Sequence, residues 1–100
     1  MVDAFLDFDW DAGNREKCQQ HGVTTATIEK LFGANALRVE PDILNSSAEQ
    51  RYRAIGKTAA GRAVFLVFTF RDYGNGNLIR PISARYMHRK ELDSYEKENP

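Results

Sequence analysis

Leu6, Phe8 and Trp10 alternate with Asp7, Asp9 and Asp11 near the start of the chain. This period of two predicts a half-buried strand. Asp11 is then placed to cap a short helix, "AGNREKCQQH", which Gly22 ends through a left-handed turn. Thr24 or Thr25 opens a second helix that turns Ile28, Leu31 and Phe32 inward and closes at Gly33. "ALRVEP" reads as a short strand ended by Pro41, and "DILNSSAEQ" as a polar loop.

The second half reads as a meander. "RYRAIGKT" is a strand, "AAG" a turn, and "RAVFLVFTF" is apolar on both faces, as in a central strand covered on both sides. "DYGNGN" has the glycines and asparagines of a hairpin connection, and "LIRPISARY" returns. Pro81 has no amide proton for a ladder, so this strand should lie at an edge or bulge there. A terminal helix over about residues 88–98 places Leu92 and Tyr95 on one side and leaves Glu91, Glu96 and Glu98 mostly exposed. The order β-α-α-β-β-β-β-α predicts an α+β fold. Two N-terminal helices and a C-terminal helix should pack on a mostly antiparallel sheet.

One hundred residues suit a single domain spanning the whole chain. The start carries four aspartates and no basic n-region, unlike a secretory leader, and no apolar run is long enough for a bilayer. Cys18 stands alone, which rules out an internal disulfide and suits the reducing cytoplasm; it reads as a small, inert helix side chain. Basic and acidic residues balance at 14 each, but they segregate. Residues 1–50 hold four basic and nine acidic side chains, a net of −5, and residues 51–100 hold ten and five, a net of +5. Between 51 and 90, nine basic residues face one acid, Asp72. Such a split suits a polyanionic ligand, although eight of the nine also read as ordinary solvated strand and helix residues.

The chemistry available is cationic. Two distant histidines and one cysteine offer no metal-ligand spacing, and neither a Walker loop nor a dinucleotide fingerprint is present. The sequence therefore implies no metal and no cofactor. Arginine's planar fork matches phosphate oxygens and keeps its charge. Arginines with histidine and tyrosine suit metal-free RNA cleavage, in which the ribose 2′-hydroxyl attacks its own phosphate.

"FDWDAGNREKCQQHGV", "QRYRAIGKT", "FLVFTFR" and "IRPISARYMHRKELDSYE" together resemble the BrnT family of bacterial type II toxins. The similarity runs in order from Phe8 to Glu96. It includes the Asn-x-x-Lys helix ending in His-Gly-Val and the Ser-Ala-Arg segment before Arg89, Glu91 and Tyr95. Three positions depart from the pattern: Gln20 replaces a lysine, Pro81 a β-branched residue, and His88 the capping Ser or Thr. The resemblance implies a RelE-like fold and a metal-independent endoribonuclease that arrests translation. It also implies a ribbon-helix-helix antitoxin as partner, with operator DNA reached only through that complex.

The candidate catalytic residues are His21, Arg71, Arg85 and Tyr86, and the candidate RNA-binding residues are Arg51, Arg53, Arg80, His88, Arg89 and Lys90. Arg71 and Arg85 each end a strand of one hairpin, so they are expected close together, clamping one phosphate. Alternatively, each pairs with an acid, Asp72 or a glutamate of the terminal helix. Tyr86 either moves a proton or packs at the sheet edge, and His21 either acts on RNA or complements a helix dipole. Residues 80–90 are expected to form one wall of an RNA groove. Two rival readings remain: an inactive interaction protein on the toxin fold, and a small nucleic-acid-binding module.

Overall fold

The computed structural model describes residues 7–34, 37–45, 49–74 and 76–98. The expected order of elements is present. β1 is Asp7–Phe8, α1 Ala12–Gln19, α2 Thr25–Gly33, β2 Leu37–Pro41, β3 Arg51–Lys57, β4 Ala63–Asp72, β5 Asn77–Tyr86 and α3 Arg89–Glu98. They form an α+β structure on a five-stranded sheet ordered β1-β5-β4-β3-β2. All pairings are antiparallel except β1 with β5, which run parallel, so the sheet is mixed.

The first strand is shorter than its alternation predicts; Leu6 lies outside the described residues. Asp11 ends it by capping α1 in a reciprocal box: Asn14 N–H donates to Asp11 Oδ1 at 3.0 Å and Asp11 N–H to Asn14 Oδ1 at 2.8 Å. Gly22, at φ +89°, supplies the left-handed turn after the helix. Thr24 caps α2 through the Thr27 amide. A 3₁₀ turn, Ile43–Asn45, interrupts what reads as a plain polar loop.

One face of the sheet holds the core. Cys18, Val23, Ile28, Leu31 and Phe32 pack on Ala54, Val64, Leu66, Phe68, Ile79 and Ala84. Phe32 meets Phe68 edge-on at 5.0 Å, and Tyr52 stacks on Phe68 at 5.4 Å. The other face departs from the expectation that β4 is covered on both sides. There Phe65 and Val67 are only half-buried, and α3 has no buried side chain. That helix reaches only one end of the face, where Tyr95 and Phe65 line a common pocket. Beyond it Val67 stays half-buried, while Thr69 is buried and donates from Oγ1 to Gln50 O at 2.6 Å.

A bulge decides which side chains reach the open face. Val67 pairs with Ser83 but Phe68 pairs with Pro81, so Ile82 is the extra residue on β5. Strand alternation alone would send Arg80 and Arg85, five residues apart, to opposite faces. With Ile82 bulged out, Arg80 pairs with Thr69 and Arg85 with Phe65, and both join the open face. Pro81 fits because β1 has ended: its carbonyl turns away from β4 and accepts from buried Asn14 Nδ2 at 2.8 Å. The same amide donates to Asp9 O at 2.9 Å, fastening α1 against β5.

Candidate nucleic-acid interface

Cross-strand pairing puts rows of side chains on the open face. Arg51, Thr69 and Arg80 form one row, Arg53, Val67 and Ser83 the next, and Ile55, Phe65 and Arg85 the third. Arg71 continues the set beside Leu78. Arg53 is held by Glu40 at 2.6 Å. Arg80 lies between Asp11, at 2.8 Å, and Asp9, at 3.4 Å, and the Asp11 carboxylate raises its pKa.

Two cavities lie along β5 and share Lys17 of α1. The larger, about 620 Å³, brings together Arg51, Arg71, Arg80 and Glu49 beside the first turn of α1. The smaller, about 230 Å³, is lined by Lys17, Gln20, His21, Phe65, Ser83, Ala84 and Arg85. His21 and Arg85, far apart in sequence, thus meet in one pocket. Lys17 lines both cavities, so the two adjoin along α1 and the bulged strand, the larger one carrying Asp11 and Glu49 among its arginines. Lys17 and Ser83 line the groove although neither is among the expected site residues. Lys17 was legible, since it stands four residues before His21, a spacing that shares a helix face.

Arg71 and Arg85 do not meet. Arg71 pairs opposite Leu78, and Arg85 opposite Phe65, six residues away along β4. At ~3.3 Å per residue the two lie roughly 20 Å apart. In an antiparallel hairpin the end of the first strand meets the start of the second, so a shared clamp on one phosphate is excluded. Each arginine has its own acid instead. Arg71 donates from Nε and Nη2 to the Glu49 carboxylate, both at 3.0 Å. Glu49's carboxyl is held below its ordinary range, chiefly by that bond, and Arg71's pKa is raised in turn. Arg85 grips Glu91 from Nη1 at 2.8 Å and Nη2 at 2.7 Å, over the Phe65 ring at 4.8 Å. Hydrogen bonding from Arg85 brings the Glu91 carboxyl down to about 2. This grip uses two of the five N–H donors a guanidinium carries.

Tyr86 also departs from its expected place. It pairs with Val64 on the core face, opposite to Arg85, and its ring lies 3.6 Å from the Arg62 guanidinium carbon. It is out of reach of a phosphate held by Arg85. His88, Arg89 and Lys90 are exposed at the start of α3. Glu91 Oε1 accepts from the His88 amide at 3.3 Å, half of a capping box. Arg89 lines a different cavity, with Lys57 and Arg62. Residues 80–90 therefore do not form one wall; their cations diverge to three places. Cys18 is fully buried, and burial pushes its thiol up to about 11, as an inert core residue requires.

Among the described residues no three His, Cys, Asp or Glu side chains converge as metal ligands, and no helix is long and apolar enough to cross a membrane. The family model for the ribonuclease toxin BrnT of type II toxin–antitoxin systems matches residues 10–91. Comparison with curated proteins gives no significant match.

Proposed function

The chain belongs to the BrnT family of type II toxin–antitoxin ribonuclease toxins, and on that premise we propose that it cleaves RNA without a metal ion in the groove between α1 and β5. The observation that carries this reading is the convergence of His21, Lys17, Ser83 and Arg85 on one pocket. The 2′-oxygen bonds to phosphorus while the bond from phosphorus to the 5′-oxygen breaks. One group must take the 2′-hydroxyl proton, and the departing 5′-oxygen must gain one. His21, the imidazole in the pocket, takes the 2′-hydroxyl proton, and solvent water in this exposed groove protonates the departing 5′-oxygen. Lys17 and the remaining donors of Arg85 neutralise the extra charge on the phosphorane. Arg51, Arg71 and Arg80 hold the flanking phosphates, fixing the register of the strand.

The mixed sheet with helices to either side supports the RelE-like class expected of the family. We assign the antitoxin to the ribbon-helix-helix type, with operator DNA bound only by the complex, in the cytoplasm. The test is cleavage by the antitoxin-free protein in excess EDTA, together with growth arrest on induction without the antitoxin. Activity that vanishes on chelation and returns with a divalent ion would refute the mechanism. The inactive-interaction reading has one observation in its favour, the bidentate grip of Glu91 on Arg85. Normal growth of cells holding abundant folded protein would establish it instead.

A further inference from the structure

On the core side of the sheet edge, away from the cationic groove, a further cavity of about 630 Å³ opens between α2, the β3–β4 turn and the end of β5. Its floor is apolar: Leu31, Ala34, Ala59, Ala60 and the ring of Tyr86. Its rim carries Lys30, Lys57 and Arg62, and no acid lines it. Lys57 is joined to Glu96 at 3.1 Å, but neither Lys30 nor Arg62 has a carboxylate partner among the described residues. The wall is preformed. Thr58 N–H donates to Arg62 O at 2.8 Å, Gly61 N–H to Thr58 O at 2.9 Å, and Arg62 N–H to Thr58 Oγ1 at 3.2 Å. Gly61 closes this turn at φ +83°, where a side chain would be strained.

We propose that this groove is an anchor site for the antitoxin, taking an acidic amphipathic segment. An aliphatic or aromatic side chain would lie over Ala59, Ala60 and Leu31, with flanking carboxylates on Lys30 and Arg62. The proposal rests on the toxin–antitoxin reading, which supplies a protein partner. Two features favour a protein over RNA. The floor rewards burial of an aliphatic side chain, which a phosphate backbone cannot supply. The cations aligned for a nucleic-acid strand lie on the opposite face of the sheet. A cavity of about 630 Å³ has room for several side chains, the scale of an anchor within a larger interface. Tyr86 thereby gains a role on the partner side, beneath Arg62.

The double variant K30E/R62E reverses the rim charge without touching the RNA groove. Its affinity for the co-expressed cognate antitoxin, measured by titration, should fall at least ~100-fold, the effect of setting like charges across an interface. RNA cleavage by the antitoxin-free variant should match the wild type, and K30R/R62K should bind normally. Circular dichroism checks the fold, and K30E alone, at an exposed helix position, provides a milder second variant. Unchanged antitoxin affinity in both charge-reversal variants would overturn the proposal. So would loss of cleavage with affinity retained, which assigns the groove to RNA. A wild-type self-association that the variant abolishes, with antitoxin affinity intact, assigns it to a second copy and also overturns it. Failure of the wild type to cleave RNA would instead count against the proposed catalysis, leaving the binding result readable.

Discussion

Replacing Arg85 with alanine separates the two roles its position allows. As a structural residue, Arg85 joins β5 to α3 through Glu91, with side chains 40% and 37% exposed. Solvent screening limits such a pair to about 1 kcal/mol. For a domain of this size that is a fall in Tm of roughly 4–8 °C. As a phosphate ligand, Arg85 is worth ~2–4 kcal/mol of transition-state stabilisation, or roughly 30- to 1000-fold in rate. Single-turnover cleavage and thermal melting on one preparation read both quantities. We expect the large rate loss with the small change in Tm. Arg85→Lys should recover little rate, since an ammonium cannot reproduce the planar fork. Glu91→Gln is the control: it removes the ion pair but keeps the guanidinium, so it should lower Tm similarly and preserve the rate. Specific activity of the folded fraction retained in Arg85→Ala, with Tm lowered, would remove Arg85 from the site.

Arg71→Ala should weaken RNA binding several-fold, reducing the slope of log affinity against log salt by about 0.7, while kcat changes little. A kcat loss matching that of Arg85→Ala would contradict the separation of the two arginines. Asn14→Ala should cost ~2–3 kcal/mol, because it strips the carbonyls of Asp9 and Pro81 of their shared donor; urea denaturation measures it, and a loss under ~0.5 kcal/mol would deny that this bridge fastens α1. Acid should weaken the fold in a defined window. Glu91 ionises at about 2 in the native state against an ordinary 4.5, so its pair stabilises fully above pH 4.5 and fades as pH falls toward 2. Across that window Arg85→Ala should lose less stability than the wild type, and equal losses would mean that the pair is not formed.

Most of the fold was legible because its signals are local. Asp11, Gly22 and Thr24 punctuate the helices by capping chemistry, and the glycines of "DYGNGN" demand a hairpin. The parallel partnership of β1 with β5 was not legible, since it joins residues about seventy apart through only two positions of each strand. The site depended on the same non-local information. Pro81 signalled a bulge or an edge, but which faces Arg80, Arg85 and Tyr86 reach follows only once Ile82 is known to be the extra residue. Hairpin geometry alone rules out a contact between Arg71 and Arg85, because strand ends meet strand starts. Of the acids that hold the arginines, Glu91 lies on the expected terminal helix, among the partners foreseen for Arg85, whereas Glu49 comes from a loop whose placement no periodicity sets. Lys17 carries the helical spacing to His21 in plain view, and the family resemblance already contained it in the Asn14-x-x-Lys17 motif.

The central claim is attack by the ribose 2′-hydroxyl in a site built from His21, Lys17 and Arg85. Its most direct test is the chemistry of the cut ends. The purified, antitoxin-free protein is incubated with RNA in EDTA, and the fragments are analysed by mass spectrometry. The account predicts a 2′,3′-cyclic phosphate on one fragment and a 5′-hydroxyl on the other, with no cut at a position carrying a 2′-deoxyribose. Fragments bearing a 5′-phosphate and a 3′-hydroxyl would mean that water, not the ribose, attacks the phosphorus, and would contradict it.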